Sequence, residues 1–241
     1  MKNTAILESF AYICPWQYEM PKIAKSFMLD SGAFTFLNKK EKKDFNSYID
    51  KYADFINAHK IDLFFELDVD SIEGYKQVLK YRHLLEAKTG KQVIPAWHLS
   101  RGKQNFIDMC KEYKYVSIGG IVTKEIKPSL PFFHFLTDIA HTYGAKIHAL
   151  GFTPRNIDDY RFDSSDSTSW GNGNRFGYVY RSDLSAIKAR DSNRLIESRS
   201  SAGHNFKMWR DWAITRRTLI HIAGTSSKEF AIKNNTIWKE I

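Results

Sequence analysis

Asp30, Asp68 and Asp166 are the residues of this chain best suited to chemistry. Asp30 closes the apolar run Phe27-Met28-Leu29 and is followed by Ser31-Gly32-Ala33-Phe34. Asp68 ends Phe64-Phe65-Glu66-Leu67, and Asp166 lies in Asp163-Ser164-Ser165-Asp166-Ser167-Thr168-Ser169-Trp170. Each stands where a buried strand hands over to a loop, and α/β enzymes keep their reacting groups at the carboxyl ends of strands. Three carboxylates gathered at one such edge suit acid/base or nucleophilic work. Taken singly, each also reads as a cap of the helix that follows its strand. His98, in Pro95-Ala96-Trp97-His98, is either a ligand-facing group or a packed strand-end histidine. His148 lies inside a strand and reads as core, and Cys110, beside Met109, as inert helix packing.

The elements that must position these residues alternate. Strand-like runs occur at Ala5–Tyr12, Phe27–Asp30, Asp62–Asp68, Val93–His98, Tyr115–Ile121 and Lys146–Phe152, with a more polar one at Ser165–Trp170. Between them, Asp44–His59 carries apolar residues at helical spacing, and Ile72–Thr89 does the same up to a capping Gly90. Gln104–Tyr113 and Phe132–Tyr143 are further helices, the latter stopping at Gly144. Strands alternating with helices at this spacing predict βα units around a parallel sheet. Runs such as Leu63-Phe64-Phe65 predict burial on both faces. The expected architecture is α/β, a compact (β/α)8-like barrel spanning residues 1–172. A basic, aromatic extension follows over 173–241, with a hairpin arm at Phe176–Arg181 and a helix at Asn205–His221.

The chain has 241 residues, 43% hydrophobic and 15% aromatic, enough for a sizeable core. Its two cysteines, Cys14 and Cys110, form no CxxC, which excludes a disulfide scaffold and a cysteine zinc site. No apolar run suggests a signal peptide or a membrane span, so a cytoplasmic protein is expected. Net charge is +9, which favours a polyanionic partner. Many of the cations fall between Arg175 and Arg217, including Arg181, Lys188, Arg210 and Arg216, interleaved with Phe176, Tyr178, Tyr180, Phe206, Trp209 and Trp212. Cations for phosphates beside rings for bases compose a nucleic-acid surface. The run Lys39-Lys40-Glu41-Lys42-Lys43 reads as a solvated face or as a further nucleic-acid contact. Trp170 and Asn172 read as structural or as lining a sugar–phosphate path.

In order, the strand-end segments resemble the tRNA-guanine transglycosylase superfamily. Asp30-Ser31-Gly32-Ala33-Phe34 resembles that family's Asp-Ser-Gly-Gly-aromatic segment, and Leu67-Asp68 its base-reading Phe-Asp. Ser117-Ile118-Gly119-Gly120-Ile121 is similar to its Ile-Gly-Gly-Leu run, and Ala149-Leu150-Gly151 to its Leu-Met-Gly. Asp163-Ser164-Ser165-Asp166 has the spacing of its Asp-Met-Phe-Asp nucleophile segment. The resemblance covers roughly residues 27 to 170 and implies a barrel fold with Asp166 as nucleophile and Asp30 as general acid/base. It further implies a substrate pocket of Asp68, Phe34, Ser31, His98, Gly119, Gly120, Leu150 and Gly151. There Asp68 accepts from the purine N–H edge, the Cβ-free backbone at Gly119 and Gly120 approaches the base, and Phe34 and Leu150 sandwich it. His98 stands where the family has a base-binding Gln.

The family's Cys-x-Cys-x-x-Cys…His zinc site is missing and the chain is short. Both departures resemble the compact phage and bacterial relatives that exchange guanine in DNA for a 7-deazaguanine base of the preQ0 type. Arg175, Arg210, Arg216 and Arg217 are then expected to bind the DNA, with a free 7-deazaguanine base as second substrate. No metal is expected, and the absence of a P-loop or GxGxxG predicts no nucleotide cofactor. Two alternatives stand beside this reading: exchange in tRNA, and a non-catalytic nucleic-acid-binding barrel. A hydrolase in which water replaces the incoming base is also compatible with the paired carboxylates.

Overall fold

The computed structural model describes residues 3–36, 44–171, 177–188, 198–216 and 218–221. The strands in chain order are β1 (Ala5–Ser9), β2 (Ser26–Asp30), β3 (Ala96–Trp97), β4 (Tyr115–Ile118), β5 (Lys146–Ala149) and β6 (Ser164–Ser167). They are followed by β7 (Tyr178–Tyr180), β8 (Ala186–Lys188) and β9 (Thr218–His221). The helices are α1 (Met20–Ile23), α2 (Phe45–His59), α3 (Asp70–Glu73), α4 (Tyr75–Thr89), α5 (Gly102–Glu112), α6 (Leu130–Thr142) and α7 (Ser198–Ile214). The result is a mixed α/β protein built on a parallel sheet of order β2-β1-β9-β6-β5-β4-β3. Among the described residues no helix is long and apolar enough to cross a membrane.

Side-chain alternation explains the layers. Ile6, Leu29, Phe64, Val116, Ile118 and Ile147 pack into the large core shared with the helices. Their neighbours Leu7, Met28, Phe65 and Ile94 form a second, smaller cluster on the opposite face. Asp30, His148 and Asp166 share the parity of that second face. The helix α2 starts where Asp44 Oδ1 accepts from the N–H groups of Asn46 and Ser47 at 3.0 and 3.1 Å, an N-cap. Its stripe of Phe45, Tyr48, Ile49, Tyr52, Ala53 and Ile56 is buried, and each large apolar member contributes roughly 1.5–3 kcal/mol by leaving water. Tyr52 also donates from its hydroxyl to the carbonyls of Leu29 and Phe65, holding β2 and residues 64–65 in register.

Three expectations need correction. The predicted strand Asp62–Asp68 is reduced to single-residue parallel bridges, Leu29 with Phe64 and Phe65 with Ile94. The chain departs from the sheet after Glu66, whose side chain instead accepts from the N–H of Ala96 at 2.8 Å. The predicted helix Asn205–His221 ends at Ile214, and Thr218–His221 enters the sheet between β1 and β6. The sheet therefore draws a strand from beyond residue 172. The hairpin arm is present as β7 paired antiparallel with β8. Asn205 anchors it by accepting from the N–H of Tyr180 and donating to the carbonyl of Tyr178, at 2.9 and 3.0 Å.

The third correction concerns the rings of the basic segment. Phe206, Trp209 and Trp212 are buried in the main core. Their spacing along α7 places them on one helical face, so hydrophobic burial takes the rings that were expected to stack on bases. Phe176 lies outside the described residues.

Candidate functional site

Asp166 stands on β6, a strand whose four residues are all polar and all buried. Polar side chains on a central buried strand require internal partners, and Asp166 has them. Its Oδ1 accepts from the backbone N–H of Gly151 at 2.8 Å and lies 3.2 Å from Nε2 of His148. His148 comes from β5, directly beside β6, and is fully buried. Its Nδ1 is 2.6 Å from Ser164 Oγ, which is 2.5 Å from the hydroxyl of Tyr115 on β4. Burial pushes the Tyr115 phenol well above its ordinary pKa, so it stays protonated. The Phe65 ring packs on the imidazole, centroids 5.1 Å apart.

Asp30 closes β2, and its Oδ2 accepts from the N–H of Gly32 at 3.0 Å. Gly32 makes this turn with φ +79°, and a Cβ there would lie 2.4 Å from Cβ of Ala11. Beneath Asp30, the phenols of Tyr48 and Tyr52 are raised in pKa, first by burial and then by the negative charge of Asp30. Tyr48 donates at 2.5 Å to the carbonyl of Ser31, itself buried. Phe34, by contrast, is 59% exposed on the turn after β2.

A second ionic cluster surrounds Asp68. Its Oδ2 lies 2.5 Å from Nε2 of His98, and its Oδ1 accepts from Arg101 Nη2 at 3.0 Å. Nδ1 of His98 is 3.0 Å from Glu125 Oε2. Burial opposes the charged ring, but the hydrogen bonds and charges of Asp68 and Glu125 outweigh it and raise the His98 pKa to about 9. At neutral pH His98 is an imidazolium donating to a carboxylate on each side. Glu125 is lowered in turn: burial pushes it up, and the His98 and Ser100 hydrogen bonds more than offset this. Arg101 binds Asp70 through two parallel hydrogen bonds of 2.7 and 2.6 Å, donates to the carbonyl of Ala96, and lies over the Tyr75 ring. Behind it, buried Glu66 accepts from Arg82 Nε at 2.7 Å.

The strand ends thus bring together Asp68 with His98, and Leu150 and Gly151 with Asp166, while Asp30, Ser31 and Phe34 share the turn after β2. The glycines differ from expectation. A Cβ on Gly119 would lie 2.7 Å from the His98 ring, one on Gly120 2.7 Å from Glu125, and one on Gly151 2.4 Å from Val122. Their open faces are filled by this chain's own side chains, so the room they leave serves internal packing. Leu150 packs partly against the cluster of Leu7, Met28, Phe65 and Ile94.

The expected DNA-binding arginines divide. Arg210 is engaged by its neighbour Asp211 at 2.8 Å. Arg216 lies 3.4 Å from Asp158 and 4.7 Å from the Trp212 ring centroid. It lines a cavity of about 460 Å³ with Ala5, Ser26, Tyr115, Lys146 and Ser164, residues that begin their strands. That is the edge of the sheet opposite Asp30 and Asp68, so Arg216 stands away from the carboxylates it was grouped with. Arg175 and Arg217 lie outside the described residues.

Sequence reasoning missed Arg101, Glu125 and Glu66 altogether; its reading of His148 as core holds, but it gave no sign of the contact with Asp166. A charge inside Phe64-Phe65-Glu66-Leu67 was the readable signal, because a buried carboxylate calls for a cation. Glu125 and Arg101 carry no such mark. Chemically, the edge offers a buried carboxylate bonded by the Gly151 N–H beside His148, a partly exposed carboxylate and an ionic cluster of Asp68, His98, Arg101 and Glu125. No protein-family model matches the chain, and a search of curated proteins returned no match.

Proposed function

We propose that the protein is a base-exchanging transglycosylase that replaces guanine in DNA with a 7-deazaguanine base, on an eight-stranded (β/α) barrel. The barrel reading is supported by the two edge strands: β2 bridges to Phe64 and Ile94, just before β3, bridges to Phe65. Residues 64–65 then serve as the eighth member between the edges. The observation that carries the function is Asp166, 3% exposed and held at Oδ1 by two donors, at the same strand edge as Asp30.

Cleaving the N-glycosidic bond leaves an oxocarbenium-like C1′, which a positioned carboxylate captures. Asp166 forms the C1′–O bond as the C1′–N bond to guanine breaks, and Asp30 gives a proton to the departing base. The incoming base then returns a proton to Asp30 and attacks C1′, and the electron pair of the C1′–O bond goes back to Asp166. Asp68 accepts from the purine N–H edge, while charged His98 and Arg101 hold that carboxylate in orientation. Exposed Phe34 covers the ring. Lys124, Lys127, Arg155, Arg181 and Lys188 are exposed on segments that follow the carboxyl ends of β4, β5 and β6, and they hold the sugar–phosphate backbone.

The test is incubation with single-stranded DNA, duplex DNA or tRNA and labelled guanine. Label entering DNA supports exchange, and single strands should react faster because no base must be extruded. Label entering only tRNA keeps the chemistry and moves the substrate. Base released without incorporation means hydrolysis, and no reaction at all overturns the enzymatic reading.

A further inference from the structure

We propose that His148 is a positioning residue for Asp166, and that Ser164 and Tyr115 back its ring from the far side; this rests on the reading of Asp166 as nucleophile. The four groups come from three adjacent strands, β4, β5 and β6, and form one unbroken line: Tyr115 hydroxyl, Ser164 Oγ, His148 Nδ1, then His148 Nε2 and Asp166 Oδ1, at 2.5, 2.6 and 3.2 Å.

The direction of the line follows from donor and acceptor chemistry. An ionised Asp166 can only accept, so His148 must carry a proton on Nε2. In the proposed singly protonated ring Nδ1 then accepts, and among the described residues Ser164 is the group beside it with a proton to give. Having donated, the Ser164 oxygen accepts from the phenol of Tyr115, which burial keeps protonated. All three hydrogen bonds point towards Asp166, and a chain aligned this way strengthens each member. A buried carboxylate without donors would take up a proton and lose its nucleophilicity. With the Gly151 N–H, His148 gives Oδ1 a second donor and fixes the carboxylate plane. The same donor is already aimed when the C1′–O bond breaks and negative charge returns to Asp166. Ser164 and Tyr115 reinforce that tautomer from the far side of the ring, through the contacts of 2.6 and 2.5 Å.

The variants are His148→Leu, which removes both nitrogens, and His148→Gln, whose amide can put an N–H in the place of Nε2–H. A hydrogen bond to a charged group is worth roughly 1.5–3 kcal/mol, so His148→Leu should lower kcat for exchange on the order of 10- to 100-fold, with KM little changed. The acid limb of its pH profile should move upward as Asp166 becomes easier to protonate. His148→Gln should recover most of the rate and the limb. Independently of activity, 15N NMR of histidine-labelled protein should show His148 as the Nε2–H tautomer, and Ser164→Ala should move the Nδ1 resonance towards that of an unbonded imine nitrogen. Wild-type kcat and pH profile in His148→Leu, with Asp166→Asn inactive, overturns the positioning role alone. An Nδ1–H tautomer in the wild type overturns it as well. An active Asp166→Asn removes the nucleophile assignment, while the NMR result still decides the state of the line. Should His148→Leu fail to fold, the pH profiles of His148→Gln and Ser164→Ala decide: a displaced limb in Ser164→Ala alone supports the role, and wild-type limbs in both overturn it.

Discussion

Nε2 of His98 and Oδ2 of Asp68 lie 2.5 Å apart, while Glu125 holds the other ring nitrogen at 3.0 Å. The imidazole, just past β3, is clamped between two carboxylates from the segments that follow the strands on either side of it. Gly119 makes the clamp possible, since a Cβ there would lie 2.7 Å from the ring. A strand-end histidine is therefore a charged bridge across the site, and Asp68 is oriented before any substrate arrives.

This clamp predicts a pH dependence of stability. The His98 pKa is raised from its ordinary value of 6.5 to about 9 in the folded protein. The charged ring's contribution is full below the unfolded pKa and is lost as pH rises through the folded one. Wild type should therefore lose stability between about pH 6.5 and pH 9 relative to His98→Gln, by at most about 3 kcal/mol. Urea unfolding of both proteins across that window measures the difference, and a difference that stays flat rules the clamp out.

Asp166→Asn keeps the shape of the side chain and removes the proposed nucleophile. Exchange should fall by several orders of magnitude, and DNA affinity should barely change. With wild type, a covalent protein–DNA species should survive denaturation when the second base is withheld, and the variant should form none. Near-normal turnover by Asp166→Asn takes this residue out of the chemistry.

How much of this was legible in the sequence depended on how local the signal was. Asp30 could be placed at a strand end because the apolar run before it is short and uninterrupted, whereas Asp68 was placed at the end of a strand that shrinks to bridges at residues 64 and 65. The helical stripe of α2 was equally plain. The end of α7 was not, because Thr215 and Arg216 carry neither Gly nor Pro to mark the break. What makes 218–221 a strand is pairing with β1 and β6, distant in sequence. Phe206, Trp209 and Trp212 were misassigned because composition was weighed before spacing; three or six residues apart, they share a helix face and pack inward. The line from Tyr115 to Asp166 depends on the register of three strands, which no single segment encodes.

Gly32 is predicted to tolerate no side chain. At φ +79° an alanine is strained, and its Cβ would meet Ala11 at 2.4 Å. Left-handed backbone costs a non-glycine residue roughly 1–2 kcal/mol and overpacking about 1–3 kcal/mol more. Gly32→Ala should lower Tm by several degrees and weaken the hydrogen bond that orients Asp30, so exchange should fall even in the folded fraction. Adding Ala11→Gly should restore only part of the steric loss, because Ser9 Oγ at 2.9 Å and the Ala11 nitrogen at 3.1 Å remain, and it leaves the backbone part. Unchanged Tm and turnover in Gly32→Ala mean that the turn after β2 is built otherwise.

The polymer should be held at the same edge as the carboxylates. Lys124, Lys127, Arg155 and Arg181 are exposed on segments that leave the carboxyl ends of β4, β5 and β6. Arg216 lines the cavity among residues that begin their strands. A nucleotide whose base is held by Asp68 and whose C1′ is attacked by Asp166 fixes its own phosphates near the first set and away from Arg216. Each phosphate that is no longer neutralised should flatten the dependence of log affinity on log salt by roughly 0.7 to 0.9. Reversing the four loop cations to Glu should therefore weaken DNA binding and flatten that slope, whereas Arg216→Glu should change neither. Affinity is measured by titrating labelled single-stranded DNA at several salt concentrations. If Arg216→Glu weakens binding as much as the loop set does, the nucleic acid runs along the opposite edge of the sheet. The carboxylates would then be out of its reach, and exchange chemistry at Asp166 would have no polymer to act on.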